Sequence, residues 1–406
     1  MKKSKKNLTV LYQICKLIPP QLVPKLAKIH GVDKKSRSNT PWSHVVSMIY
    51  MQLARCVSLN DVCDSLKIHK GYLACIRQAA PLSRNGLAYA NKHRDAAMAE
   101  ELFWTMLRHL QTLNPRFGYG HGYKGVPRRF KRTINILDST TIKLIVNCID
   151  WATHRRQKAA AKLHMNLNPK TFMPRIIVME KASSHDSTKA RVLCADMKAG
   201  EIMVADKAYV DFKHFNELSE KGIFWVCRAK ENMAYEVVEE RECQANILSD
   251  QLIRLTGQLT ADHYEGEFRL VHALIKVNGK EKEFTYITNN LKWAASSICD
   301  LYESRWTIEV FFKQIKQSLN LVDFLGNSEN AVRWQIWTAM LTYILLRYIK
   351  EQSKWPGSFS RICTYIRAAL WTRRILNDLL EECHGKRTKP IAQGVYLPGF
   401  EEILQV

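Results

Sequence analysis

The chain has 406 residues, 46% of them hydrophobic, which allows a sizeable buried core and excludes a disordered polyelectrolyte. Its formal net charge of +23 points to a polyanionic partner. Eleven cysteines occur without a Cys-x-x-Cys pair, and Cys194 and Cys227 lie in apolar runs, which argues against structural zinc and against a disulfide framework.

The charge is unevenly placed. Residues 1–137 hold 24 Lys and Arg against 6 Asp and Glu, or +18, and the rest of the chain is nearly balanced. The opening "MKKSKKNLTVLYQICKLIPP" reads as a basic amphipathic helix, because Gln13 and Lys16 break its apolar part and no small-residue cleavage site follows. Residues 1–115 are expected to form a basic, helical DNA-binding domain. Segments such as "WSHVVSMIYMQLARCVSLNDVCDSLKI" and "DAAMAEELFWTMLRHLQTL" repeat apolar residues at intervals of three and four. Within it, Ser83 caps a short helix bearing Arg84, Lys92 and Arg94, the profile of a helix that enters a major groove. An ordinary basic surface helix has the same profile. Residues 116–132, rich in Gly, Pro and basic side chains, read as a linker whose Arg128, Arg129, Lys131 and Arg132 could grip phosphates.

The period then changes from helix to strand. "TINILDSTTIKLIV" reads as strand, turn and strand, and "AKLHMNLNPKTFMPRIIVMEKA" as two strands around an Asn-Pro-Lys turn. A helix over "DSTKARVLCADM" follows, then the strand "EIMVADKAYV", a helix ended by Gly222, and the strand "IFWVCRAK". Residues 133–230 therefore read as the first part of an α/β core with a mixed sheet. Residues 231–290 form a β-rich insertion with a hairpin at Asn278-Gly279, residues 291–330 complete the core, and 331–406 form a C-terminal helical region. The helix "IWTAMLTYILLRYI" from Ile336 is about 14 residues long and contains Arg347, too short to span a bilayer, and the chain reads as cytoplasmic with no membrane partner.

Three acids stand out. Asp138 and Asp206 each end an apolar strand, where a carboxylate is costly to bury without a cation. Each alone could be a turn cap. The third is Glu309, in "YESRWTIEVFFKQIKQSLNL". At about 100° per residue, Tyr302, Arg305, Glu309 and Lys316 share a stripe roughly 60° wide, beside an apolar sector of Leu301, Ile308, Phe312, Ile315 and Leu319. Such a stripe also fits a solvated salt-bridge ladder. With a +18 segment ahead of them, the three acids together point to an all-oxygen site for Mg²⁺ or Mn²⁺ that cleaves phosphodiesters with two ions.

"YESRWTIEVFFKQIK" resembles the Tyr-x2-Arg-x3-Glu-x6-Lys signature of bacterial cut-and-paste DDE transposases, specifically the large insertion-sequence family numbered four. "LDST" and "ADKAYVD" resemble the segments that carry this family's two aspartates, and the likeness spans roughly residues 130 to 350. It implies an RNase H-like core interrupted by the β-rich insertion, with Asp138, Asp206 and Glu309 as ligands of two Mg²⁺ or Mn²⁺ ions. Tyr302, Arg305 and Lys316 would contact DNA phosphates. The implied partners are double-stranded DNA, as transposon ends and target, and a second copy in the synaptic complex. A DNA-binding regulator without catalysis and an RNase H-like structure-specific nuclease are the alternatives. Trp225 and Trp293 fall in no matched motif and read as core, and His164, in "KLHMNLN", reads as a satisfied strand histidine rather than a neighbour of the metal site.

Overall fold

The computed structural model describes residues 8–34, 39–118, 130–144, 153–154, 158–181, 186–277, 279–319, 321 and 324–384. Residues 1–7, Arg128, Arg129, Asn278 and 385–406 lie outside the described residues.

Seven helices come first: α1 (Val10–Cys15), α2 (Leu22–Ile29), α3 (Pro41–Ala54), α4 (Leu59–Ile68), α5 (Lys70–Ala74), α6 (Arg84–His93) and α7 (Ala97–Leu113). Their starts are written in the sequence. Thr9, Thr40, Ser58 and Ser83 each accept a backbone N–H with the side chain, and Ser58 forms a reciprocal capping box with Asp61. Each cap contributes about 1 kcal/mol. Helix α3 is buried on nearly every side. Its partner is α12 (Glu329–Gln352), also buried almost all round, which packs against α3, α6 and α7. Side chains stitch the contact: Trp334 Nε1 donates to the Arg94 carbonyl at 2.7 Å, and Asn330 Nδ2 to the carbonyls of Asn91 and Arg94 at 2.8 and 2.6 Å. The first and last helices of the chain thus share one apolar layer with α13 (Phe359–Ala368) and α14 (Leu376–His384). Among the described residues no helix is long and apolar enough to cross a membrane.

One mixed sheet carries the rest. Its first strands are β1 (Ile134–Lys143), the short β2 (Thr153–His154), β3 (Lys158–Asn168), β4 (Met173–Lys181), β5 (Ile202–Ala205) and β6 (Phe224–Arg228). They lie in the order β4-β3-β1-β5-β6, with β3 antiparallel to both neighbours and β1, β5 and β6 parallel to one another. This is the arrangement of an RNase H-like core. The insertion adds β7 (Tyr235–Glu240), β8 (Ile247–Leu255), β9 (Phe268–Val277) and β10 (Lys280–Thr288) in the same sheet, β10 lying antiparallel to β6. Alternation sends Ile134, Ile136, Ile202 and Val204 to one face, against α11 (Trp306–Ser318) and α12. Leu137, Met203 and Ala205 face the other side, against α8 (Asp186–Leu193) and α9 (Phe212–Glu220).

One expectation is corrected. The segment read as strand, turn and strand is continuous from Ile134 to Lys143, paired with β3 up to Lys143. Thr140 and Thr141 are β-branched and favour the strand, so Ser-Thr-Thr does not break it.

Two predictions follow from buried charge. His44 is fully buried, its Nε2 2.8 Å from Asn91 Oδ1, and burial, reinforced by Arg94, pushes its pKa down to about 3. The folded ring stays neutral where the unfolded ring takes a proton, so this stability is present above about pH 6.5 and is lost as pH falls toward 3. The slope is about 1.4 kcal/mol per pH unit, and His44→Gln is expected to flatten urea-derived stability by one proton's worth between about pH 6 and 4; an unchanged slope contradicts this. Asp250 and Arg269, on β8 and β9, are each 4% exposed and form an ion pair in which Arg269 Nε also donates to Asp250 Oδ1 at 2.6 Å. Asp250→Ala leaves a buried cation and is expected to cost about 3–5 kcal/mol in chemical denaturation.

Candidate active site

Strand pairing brings the two aspartates together. Leu137 of β1 lies opposite Ala205 of β5 in parallel register, so Asp138 and Asp206 follow next in each chain from one paired position. The pairing between β1 and β5 ends there, while β1 continues along β3. By alternation both carboxylates face α11. Asp138 Oδ1 accepts the Ser139 N–H at 2.7 Å, and Asp206 Oδ1 accepts that of Lys207 at 2.6 Å, capping a short 3₁₀ turn. The capping role that the sequence allows is therefore real and coexists with the site.

The expected single helix is two: α10 (Ala295–Glu303) and α11, separated at Ser304 and Arg305. The Ser304 hydroxyl donates back to the Leu301 carbonyl at 2.5 Å, and the N–H groups of Arg305, Thr307 and Ile308 reach three residues back instead of four. Both residues keep right-handed dihedrals, so the stripe survives the break. Leu301, Ile308, Phe312, Ile315 and Leu319 are all buried, as their sector requires.

Three of the four stripe residues reach β1 or Asp206 directly, and Glu309 is held through Arg305. Arg305 Nη1 donates to Asp138 Oδ2 at 3.0 Å and Nη2 to Glu309 Oε1 at 2.5 Å. The Tyr302 hydroxyl donates to Asp206 Oδ1 at 3.3 Å, with its ring 4.9 Å from that of Tyr286 on β10. Lys316 Nζ donates to Thr140 Oγ1 at 2.6 Å and to the Thr141 carbonyl at 2.9 Å. Burial, opposed by the Arg305 guanidinium and aided by Glu309 and Asp206, pushes the Asp138 carboxyl up to about 6. Burial also keeps the Tyr302 phenol protonated, so it remains a donor.

Asp138 and Glu309 thus share one arginine, and Asp206, next to Asp138 across the strands, is held by Tyr302. The donor set is all oxygen, the type that suits Mg²⁺ or Mn²⁺. As the side chains stand, however, no three acidic, His or Cys groups among the described residues surround a point that could hold an ion. A guanidinium lies between Asp138 and Glu309 instead.

The basic helix divides. Arg84 and Lys92 are exposed on α6, beside Tyr89, which is 66% exposed and packs on His93 at 4.3 Å. Arg94 is corrected: it is 8% exposed and donates to the carbonyls of Asn39 and Thr40, a cross-link within the helical layer rather than a surface contact. Trp225 is a core residue stacked on Phe215 at 4.4 Å, and Trp293 is half-buried against Phe130 and Phe224. His164 lies opposite Ser139, so its side chain falls on the sheet face away from Asp138, buried with Nδ1 3.3 Å from Asp186 Oδ1. Trp306, outside the four-residue stripe, follows Arg305 and is 54% exposed at the start of α11. An apolar ring adjoining the polar stripe was its signal.

Residues 129–345, just over half of the chain, match the family model described as "Transposase DDE domain", and residues 6–76 match a domain of unknown function, DUF4372. A Sinorhizobium fredii protein described as a transposase, y4zB, is 28% identical over 309 residues, covering 73% of this chain and 81% of that protein. A Geobacillus stearothermophilus protein described as the transposase for insertion sequence element IS5377 is 28% identical over 226 residues, covering 56% and 59%. The transposase InsG for insertion sequence element IS4 of Escherichia coli is 26% identical over 188 residues, covering 42% and 41%. With its strand order and this match, the chain belongs to the DDE transposase family, as an enzyme of DNA cleavage and strand transfer.

Proposed function

We propose that the protein binds the terminal inverted repeats of an insertion sequence, cleaves the element's ends and joins each freed 3′ hydroxyl to target DNA. The observation that carries this is that Arg305 bridges Asp138 on β1 and Glu309 on α11, while Asp206, the residue after Ala205 in parallel register with Leu137, is held by Tyr302. Asp138, Asp206 and Glu309 are the proposed ligands of two Mg²⁺ or Mn²⁺ ions. When bound, such ions neutralise phosphate charge and activate the attacking oxygen.

The chain's own residues position the DNA. Arg305 and Lys316 stand along β1 with forked and point-like cations suited to phosphate, and Tyr302 donates a neutral hydroxyl at Asp206. Trp306 offers an exposed ring on which an unpaired base can stack. Arg84 and Lys92 extend the contact to the helical layer, where the charge excess is concentrated. Holding two ends at once calls for a second copy in the synaptic complex.

Asp138→Ala, Asp206→Ala and Glu309→Ala are each expected to reduce end cleavage below detection on a denaturing gel with Mn²⁺, while binding of end DNA stays within about tenfold of wild type, about 1.4 kcal/mol. Full cleavage by any one of them removes that residue from the site. Since α12 packs against α3, α6 and α7, deleting the first helices would expose core, so point variants test the phosphate grip better. Arg84→Ala with Lys92→Ala is expected to lower the slope of log affinity against log salt by about 1.8; an unchanged slope places DNA elsewhere.

A further inference from the structure

The acids that would share an ion are separated by a cation that belongs to the protein. Arg305 places Nη1 3.0 Å from Asp138 Oδ2 and Nη2 2.5 Å from Glu309 Oε1. An Mg²⁺ shared by those oxygens must sit at about 2.0–2.1 Å from each, in space that the guanidinium fills. We propose that in the DNA-free protein Arg305 is a built-in counter-cation that keeps divalent ions out of the site, and that a DNA phosphate opens the site by taking the guanidinium. This rests on the reading of Asp138, Asp206 and Glu309 as ion ligands, and adds that ion binding is conditional on DNA.

Several features make the exchange feasible. Glu309 is 36% exposed and can swing without unpacking the core. Arg305 sits at the break between α10 and α11, and its Nε–H is buried without a partner, so its present position leaves one donor unsatisfied. Asp206 and Lys316 are held by other groups, Tyr302 and Thr140, and need not move with it. A planar guanidinium binds carboxylate and phosphate with the same fork. Removing it leaves the Asp138 and Glu309 carboxylates without their shared cation, which is unfavourable until divalent charge replaces it. Phosphate binding and ion binding then promote each other, and by linkage the promotion is mutual.

The test is Mn²⁺ binding to the full chain, followed by loss of the free-ion EPR signal. Arg305→Gln is expected to bind Mn²⁺ without DNA at least about tenfold more tightly than wild type, and Arg305→Lys, a single-point cation, by a smaller factor. Adding Asp138→Asn to Arg305→Gln should erase the gain. A precut duplex carrying the element's terminal sequence should raise wild-type affinity by about tenfold as well. Equal DNA-free affinities for wild type and both Arg305 variants, all weakened by Asp138→Asn, overturn the gate and leave the ligand reading intact. A wild-type affinity unmoved by the duplex also overturns the gate. Mn²⁺ binding that Asp138→Asn weakens in no state overturns the ligand reading and the gate with it. Thermal melts check that each variant is folded, and Arg305→Lys keeps the test decisive should Arg305→Gln not fold.

Discussion

A single arginine joins the parts of this site. Asp138 lies 167 positions before Arg305, yet the two side chains meet at 3.0 Å, and the same guanidinium reaches one helical turn on to Glu309. This ion pair links β1 to α11 at the end where β1 and β5 part. It also explains why acids can sit at the margin of an apolar sheet face: burial alone would drive Asp138 toward its neutral form, and the guanidinium opposes that.

The β-rich insertion has a positional part in this arrangement. It lies within the 103 positions between Asp206 and Glu309, and its strands continue the core sheet and return the chain beside β6 on β10. From there α10 is delivered to the sheet, and Tyr302 packs on Tyr286 of β10 before reaching Asp206. The insertion's buried Asp250–Arg269 pair is tied to the same connection, since Arg269 also donates to the Trp293 carbonyl just ahead of α10. The helical layer is continuous in the same sense, with α12 bearing the first helices on the flank of α11's face of the sheet.

Much of this was legible in the sequence because it rests on period and punctuation. Strand alternation put Asp138 and Asp206 on the sheet face of Ile134 and Ile136, strands β9 and β10 pair as a hairpin from Val277 and Lys280, the helix ended by Gly222 lies where expected, and the three-four-seven spacing found the stripe. The continuous β1 was a misjudged local propensity, and the other failures depended on packing. Arg94 looked like its neighbours Arg84 and Lys92 in a basic run, and only the loop at Asn39 and Thr40, folded over it from 54 residues away, shows why it is buried. The division of the signature helix at Ser304 was equally hidden, because both residues keep helical dihedrals and only the bonding shortens. The association of the first helices with α12 follows from two helices being apolar all round, a sign that each needs partners without saying which.

The convergence of the three acids on shared ions is tested most directly by iron-directed cleavage of the backbone. Fe²⁺ and ascorbate added to the protein on its end DNA should cut the chain close to residues 138, 206 and 309, with the cuts suppressed by excess Mg²⁺. Cuts confined to other segments, or cuts at those three that Mg²⁺ leaves unchanged, would contradict a common ion site.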